Sequence, residues 1–205
     1  VGRMQALLLE AGVKEGDRVG FVLPNCPTSI VVAMAANAIG AVWSSCSPDF
    51  GVNGILDRFS QTEPKVLVVC DGYFYTGKTF DTRDKFAEVL AALPSVEASF
   101  MLGFADEDAD TGPLTGTERL DTALARHGEA TTPTFKQMNF NAPMVIMFSS
   151  GTTGKPKCIE HGQGGVLLKQ LTEHLLHNNT RPDDRTFFST TCGWLMGNWL
   201  LTGLQ

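Results

Sequence analysis

The sequence predicts an α/β fold in which a parallel sheet is flanked by helices. The 205 residues are 43% hydrophobic and 19% charged, which is ordinary for a globular protein and excludes wholesale disorder. Short runs of β-forming residues alternate with segments of helical periodicity through the first half of the chain. One of these runs, residues 66–69, is apolar throughout, as expected of a strand that is covered on both faces.

The predicted elements follow one another as helix and strand. A helix over residues 3–11 places its apolar side chains on one face and ends at Gly12. Pro27 opens a helix that is apolar nearly all round. This second helix covers residues 29–39, and the other predicted helices are 52–61, 85–93 and 118–126. Besides the strand at 66–69, the predicted strands are 17–23, 41–45, 73–75, 98–102 and 144–148. No repeat or linker divides the chain, so we expect one domain or part of one.

Charge and composition exclude several classes of function. The net charge is −6 and the lysines and arginines are scattered, so nucleic acid is not an expected partner. The uncharged run from Val19 to Pro48 is interrupted by prolines, and its longest apolar piece is too short to cross about 30 Å of hydrocarbon. Five widely spaced cysteines without a C-x-x-C pair favour the reducing cytoplasm. The sequence begins inside the first predicted helix, and we expect it to be part of a longer polypeptide.

A strand that runs into a turn rich in serine, threonine and glycine carries the clearest chemical signal. Glycines at 151 and 154 allow backbone N–H groups to converge on phosphate oxygens, four hydroxyls add hydrogen-bond donors, and two lysines add positive charge. We call residues 149–157 the predicted phosphate loop. Its candidate ligands are Ser149, Ser150, Gly151, Thr152, Thr153, Gly154, Lys155 and Lys157.

The pattern is not that of a P-loop nucleoside triphosphatase. Ser149 stands where the first glycine of that motif belongs, and Pro156 stands where a hydroxyl must hold magnesium. The structural alternative to an anion site is a polar β-hairpin turn between Phe148 and Cys158.

Read whole, SSGTTGKPK after an apolar strand resembles the phosphate-binding signature of the acyl-activating, adenylate-forming superfamily, which includes the acyl-CoA synthetases. The similarity extends upstream through GVKEGDRVGFVLPN and EPKVL and downstream to Gly193-Trp194. Within the superfamily, WSSCSPDFGV, LDRF and LLHN are similar to the acetoacetyl-CoA synthetases. The chain departs from the family pattern at Cys158, where Gly or Ala is usual, and at residues 162–165, which vary a Ser-His-Gly-Gly pattern.

The resemblance implies ATP-dependent activation of acetoacetate to acetoacetyl-CoA through an acyl-adenylate. The predicted phosphate loop would then hold the ATP phosphates together with Mg²⁺. The loop that contains Ser47 and Pro48, at a strand-to-helix junction, is a candidate for facing coenzyme A. A candidate acyl pocket is formed by Gly193, Trp194, Leu195 and Met196. The family's catalytic lysine and ribose-binding acidic residue are expected beyond Gln205, so the chain alone is not expected to complete either half-reaction.

Simpler roles and other functions stay open at this point. Asp49 could cap the helix over residues 52–61, Asp57 and Arg58 could form an ion pair, and the apolar run at 195–196 could be core packing. His174 and His177 are interpreted as part of a solvated helix face rather than a metal site. The functional alternatives are another short-chain acyl-CoA synthetase, for acetate or propionate, and a non-catalytic nucleotide- or CoA-binding module.

Overall fold

The structure is a computed structural model that describes residues 1–149 and 154–203. Its strands are β1 (Arg18–Val22), β2 (Val42–Cys46), β3 (Val66–Cys70), β4 (Gly72–Tyr75), β5 (Lys78–Asp81), β6 (Ala98–Leu102), β7 (Thr117–Arg119), β8 (Pro143–Phe148) and β9 (Cys158–Gly162). Its helices are α1 (Gly2–Glu10), α2 (Pro27–Ile39), α3 (Val52–Thr62), α4 (Arg83–Ala91), α5 (Leu120–Ala125), α6 (Gln163–Thr172) and α7 (Leu195–Thr202). A single π-helical turn, Glu173–His177, continues α6.

Seven strands form one sheet in the order β7-β6-β3-β1-β2-β8-β9. Every neighbouring pair from β7 to β8 is parallel, which confirms the predicted sheet, and β9 runs antiparallel to β8 at the edge. The remaining strands, β4 and β5, form a separate antiparallel ribbon. Because β1, β2 and β8 are parallel neighbours, the loops that follow them leave from the same edge of the sheet.

The uncharged run of the sequence folds as a buried helix and strand. Pro27 occupies the start of α2, and the helix ends at Gly40, whose φ of 83° lies in the left-handed region that favours glycine. Every residue of β2 and β3 is buried, as the apolar run 66–69 predicts. None of the described helices combines the length and apolar character needed to span a bilayer.

Three strands were not predicted because they lack the hydrophobic signal of buried strands. All four residues of β5 are exposed, β7 is only three residues long, and the polar β9 has no buried residue. β7 occupies the first part of the segment predicted as a helix over residues 118–126, which shortens α5 accordingly. Such strands are determined by their neighbours in the sheet rather than by their own sequence.

A buried carboxylate joins the ends of two strands. Asp71 follows β3 and is 5% exposed. Its carboxylate accepts N–H bonds from Phe104 at 2.7 Å, from Ala105 at 2.9 Å and from Asp106 at 2.8 Å, in the loop after β6. These charge-assisted bonds fix that loop against the carboxyl end of β3.

We predict that Asp71→Asn destabilises the protein by about 2–3 kcal/mol, because the amide cannot accept from all three N–H groups and leaves a buried donor unpaired. The free energy of unfolding in urea measures this effect. Asp183→Asn, at an exposed position, is the matched control and should change stability by less than about 0.5 kcal/mol. Equal stability of the two variants would contradict the role assigned to Asp71.

Candidate functional site

Two of the three segments predicted to bind ligands follow the carboxyl ends of adjacent parallel strands, and the third packs against the end of one of these strands. The predicted phosphate loop follows β8, and Ser47 follows β2, which pairs with β8 in parallel through Trp43 and Val145. Gly193 lies against the end of β2, since a Cβ on it would be 3.0 Å from the Ser47 nitrogen. Ligands of open α/β sheets bind at this carboxyl edge.

The predicted phosphate loop is closed at its base by its first residue. The Ser149 N–H donates to the Lys157 carbonyl at 3.0 Å, and the Lys157 N–H donates to the Ser149 hydroxyl at 3.3 Å. Lys155 and Lys157 are exposed on the described part of the loop. The predicted ligands Ser150, Gly151, Thr152 and Thr153 lie outside the described residues.

The loop connects two antiparallel strands, so the hairpin geometry named as the alternative is present. A hairpin connection does not exclude anion binding, because exposed lysines beside a closed loop base are suited to a phosphate. Packing against the described residues does not explain Gly154. A Cβ there would meet no heavy atom within 4 Å, so contacts with the described residues do not require glycine. Close approach of a ligand to the backbone would require it.

Two of the simpler roles left open for the segment that leads into α3 are not found in the structure. The helix is capped by Gly51 without a side-chain hydrogen bond, so Asp49 is not its cap. Asp57 and Arg58 do not pair with each other in the described structure. The Asp57 carboxylate lies 3.9 Å from the Lys155 ammonium, and the Arg58 guanidinium lies over the rings of Phe50 and Phe148, with 4.6 and 5.7 Å to their centroids.

The segment that contains Ser47 and Pro48 is buried and has a cation beside it. Ser47 is 4% exposed, and the Pro48 carbonyl accepts a hydrogen bond from the Lys85 ammonium. That ammonium lies 5.6 Å from the centroid of the Tyr73 ring, and burial lowers the pKa of Lys85. The sequence reasoning missed Lys85, because its contact with Pro48 joins α4 to the end of β2 across 37 positions of the chain.

The predicted acyl-pocket residues begin at a tightly held turn. The Cys192 carbonyl accepts from the Ser45 hydroxyl at 2.5 Å, and the Cys192 thiol donates to the Leu23 carbonyl at 2.8 Å. These bonds hold Gly193 against the ends of β1 and β2. Trp194 and Leu195 are half exposed, and Met196 is partly buried.

A cavity of about 460 Å³ lies beside this turn, between α2 and α7. Its wall is mainly apolar and includes Phe21, Trp43, Ile30, Cys192, Gly197 and Leu201. Residues 193–196 do not line the cavity. The first residue of α7 that lines it is Gly197. The acyl-pocket assignment of residues 193–196 therefore stays a prediction.

The predicted orientation of α6 was wrong. His174 and Gln170 are buried, and the His174 ring stacks on Trp199 with 4.5 Å between centroids. The apolar face predicted to point inward is exposed at Leu167, Leu168, Leu171 and Leu175. The reason is that α7 packs on the polar side of α6, which periodicity alone does not reveal. His177 is exposed, and no cluster of three or more His, Cys, Asp or Glu side chains suited to a metal occurs in the part of the chain that the structure describes.

The thiols near the site differ in burial and therefore in pKa. Burial raises the pKa of Cys70 and Cys192 to about 12 and that of Cys46 further still. Cys158, next to Lys157, is exposed to solvent. The part of its thiol that is shielded from water raises its pKa above the ordinary value. The thiolate is the reactive form, so buried thiols of high pKa react slowly.

We predict that iodoacetamide at pH 8 alkylates Cys158 well before Cys46, Cys70 and Cys192, as measured by peptide mass spectrometry over time. In denaturant the four thiols should react at similar rates, which controls for sequence context. Alkylation of Cys70 as fast as Cys158 in the native protein would show that the described burial is wrong.

Comparison with known proteins identifies the family. The AMP-binding enzyme family model matches residues 1–204. The chain belongs to the AMP-binding enzyme family. It is 44% identical over its whole length to the acetoacetyl-coenzyme A synthetase of Rhizobium meliloti and 41% identical to the acetoacetyl-CoA synthetase of Mus musculus. These matches confirm the resemblance found in the sequence.

A solved structure matches equally well. The acetoacetyl-CoA synthetase from Streptomyces lividans superposes with a TM-score of 0.91 at 41% identity, over 99% of this chain and 30% of that one. A malonamoyl-CoA synthetase of Penicillium aethiopicum, vrtB, is 36% identical over the whole chain. The chain spans about 31% of the length of the acetoacetyl-CoA synthetases it matches.

Proposed function

We propose that this chain is part of the large amino-terminal domain of an enzyme that joins acetoacetate to coenzyme A with ATP. The observation that carries the proposal is the convergence, at one edge of the parallel sheet, of the predicted phosphate loop and the Ser47 and Gly193 segments. Whole-chain similarity to acetoacetyl-CoA synthetases supports the same reaction.

The proposed reaction has two steps. An oxygen of the acetoacetate carboxylate attacks the α-phosphorus of ATP, forming acetoacetyl-adenylate and releasing pyrophosphate. The thiolate of coenzyme A then attacks the acyl carbon, forming the thioester and releasing AMP. The first step brings two anions together, so positive charge and orientation are the main contributions a protein can make.

The described residues fit a polyphosphate at the predicted phosphate loop. Lys155 and Lys157 offer two exposed ammonium groups, and Ser149 closes the loop that would surround the β- and γ-phosphates. Mg²⁺ usually binds through substrate phosphates, water and one or two protein oxygens. In our proposal Ser149 and the other loop hydroxyls would hold Mg²⁺ together with the phosphates, and the ion would supply positive charge that favours release of pyrophosphate.

Coenzyme A is proposed to bind along the segment that contains Ser47 and Pro48. Lys85 supports this assignment, because its ammonium gives the segment a positive charge that would attract a phosphate of the coenzyme. The acid is proposed to bind near residues 193–196, whose first member packs directly against Ser47. This proximity would place the acyl carbon between the adenylate and the thiol. All five cysteines are free, which supports the proposed cytoplasmic location.

One test of the proposed function concerns the phosphate contacts in the complete enzyme that contains this chain. Lys157→Ala and, separately, Gly154→Val should slow acetoacetate-dependent exchange of pyrophosphate into ATP by about 10- to 100-fold, because the first removes a charge-assisted contact and the second blocks close approach of the phosphates to the backbone. Thioester formation from supplied acetoacetyl-adenylate should change little, because that step does not use the pyrophosphate.

Lys169→Ala is the matched control, since Lys169 is an exposed lysine whose charge is paired with Glu173 on α6. It should leave both half-reactions unchanged. Unaltered pyrophosphate exchange in Lys157→Ala would count against the phosphate assignment. Absence of exchange with any acid in the parent enzyme would favour the non-catalytic binding module.

Another test of the proposed function concerns which acid the complete enzyme prefers. The specificity constant kcat/KM should be more than about tenfold higher for acetoacetate than for butyrate, because butyrate would leave a pocket group unpaired where the 3-keto oxygen binds. Malonamate is a sharper control, since it keeps that carbonyl and replaces only the methyl group, and it should react better than butyrate. Butyrate equal to acetoacetate would rule out recognition of the keto group, and a preference for acetate would favour another short-chain synthetase.

A further inference from the structure

Helix α3 presents three polar side chains to the hairpin that carries the predicted phosphate loop. We call Asp57, Arg58 and Gln61 the α3 platform. The opposite side of the helix is buried through Ile55 and Phe59. The polar side therefore does not contribute to the core and lies against β9 and the loop.

Gln61 forms a hydrogen bond with the carboxyl-terminal end of the loop, at Pro156. Its side-chain amide donates to the Pro156 carbonyl at 2.9 Å and to the Asp57 carbonyl of its own helix at 2.6 Å. The second bond fixes the rotamer of Gln61, so the first bond is made by a group that is already oriented. Proline restricts φ at position 156, and a held Pro156 carbonyl further restrains the backbone between Lys155 and Lys157.

Arg58 contacts the entrance of the loop. Its guanidinium lies over the ring of Phe148, the last residue of β8, and over the ring of Phe50. A hydrogen bond of 2.6 Å from Arg58 to the Gly54 carbonyl keeps the guanidinium between the two rings. Phe50 lies two residues after Pro48, so Arg58 also connects the loop to the proposed coenzyme A segment.

We propose that the α3 platform positions both ends of the phosphate loop for ATP, with Gln61 as the principal positioning residue. The proposal rests on the proposed function of the loop. If the platform raises the fraction of molecules whose loop is ready for ATP, its loss weakens apparent ATP binding by the same factor. Once ATP is bound, its own contacts hold Lys155 and Lys157 in place, and the rate of the chemical step is unchanged.

The experiment uses Gln61→Met in the complete enzyme, because methionine keeps the length of the side chain and removes the donor. We expect KM for ATP in pyrophosphate exchange to rise about 3- to 10-fold with kcat within about twofold. Arg58→Met should change KM in the same direction. Asn53→Ala, at an exposed position of α3, is the control and should change neither constant.

A second readout does not depend on catalysis. Trypsin cleaves after Lys157, whereas the bond after Lys155 resists because proline follows. In the complete enzyme, Gln61→Met should speed cleavage after Lys157 about 3- to 10-fold at an unchanged thermal midpoint, and Mg²⁺ with tripolyphosphate should slow it again.

Unchanged KM and unchanged cleavage in Gln61→Met would overturn the proposal. A fall in kcat with constant KM would also overturn it, because the contact would then act only in the transition state. If the parent enzyme catalyses no exchange, the proposed function fails. The cleavage rate still decides whether Gln61 holds the loop.

Discussion

The parallel pairing of β1, β2 and β8 is the constraint on which the rest of the site depends. It places the ends of these strands along one edge, so segments far apart in sequence come together there. The buried residues of β2 and β3 and the apolar helix α2 place this arrangement in the core of the fold. β9 pairs with β8 as the outermost strand of the sheet, and the β8–β9 connection carries the exposed Lys155 and Lys157.

The interior of the fold could be predicted because its signals are local. A wholly apolar strand at 66–69, proline at the start of α2 and glycine at its end each determine their own segment. The edges could not be predicted in the same way. β9 is a strand only because β8 lies beside it, and α6 turns Gln170 and His174 inward because α7 covers that side. In both cases a distant neighbour outweighs local periodicity.

The candidate site also combines residues that local sequence signals reveal with residues that only the packing reveals. The predicted phosphate loop is recognisable because glycines, hydroxyls and lysines occur within nine consecutive residues. Lys85 and Gln61 give no such signal, since their partners Pro48 and Pro156 are 37 and 95 positions away. Both donate to the carbonyl of a proline within a proposed ligand segment. Supporting contacts of this kind become visible only when the sheet order and the packing of α3 and α4 are known.

The most direct test of the account is amide hydrogen exchange in the complete enzyme with and without Mg·ATP, read out by mass spectrometry of peptides. The account predicts slower exchange in residues 148–158, where the predicted phosphate loop joins β8 to β9. Peptides from α5, which is remote from that edge in the sheet order, should exchange equally fast in both states. Unchanged exchange in residues 148–158 at saturating Mg·ATP would contradict the claim that the phosphates bind at this hairpin.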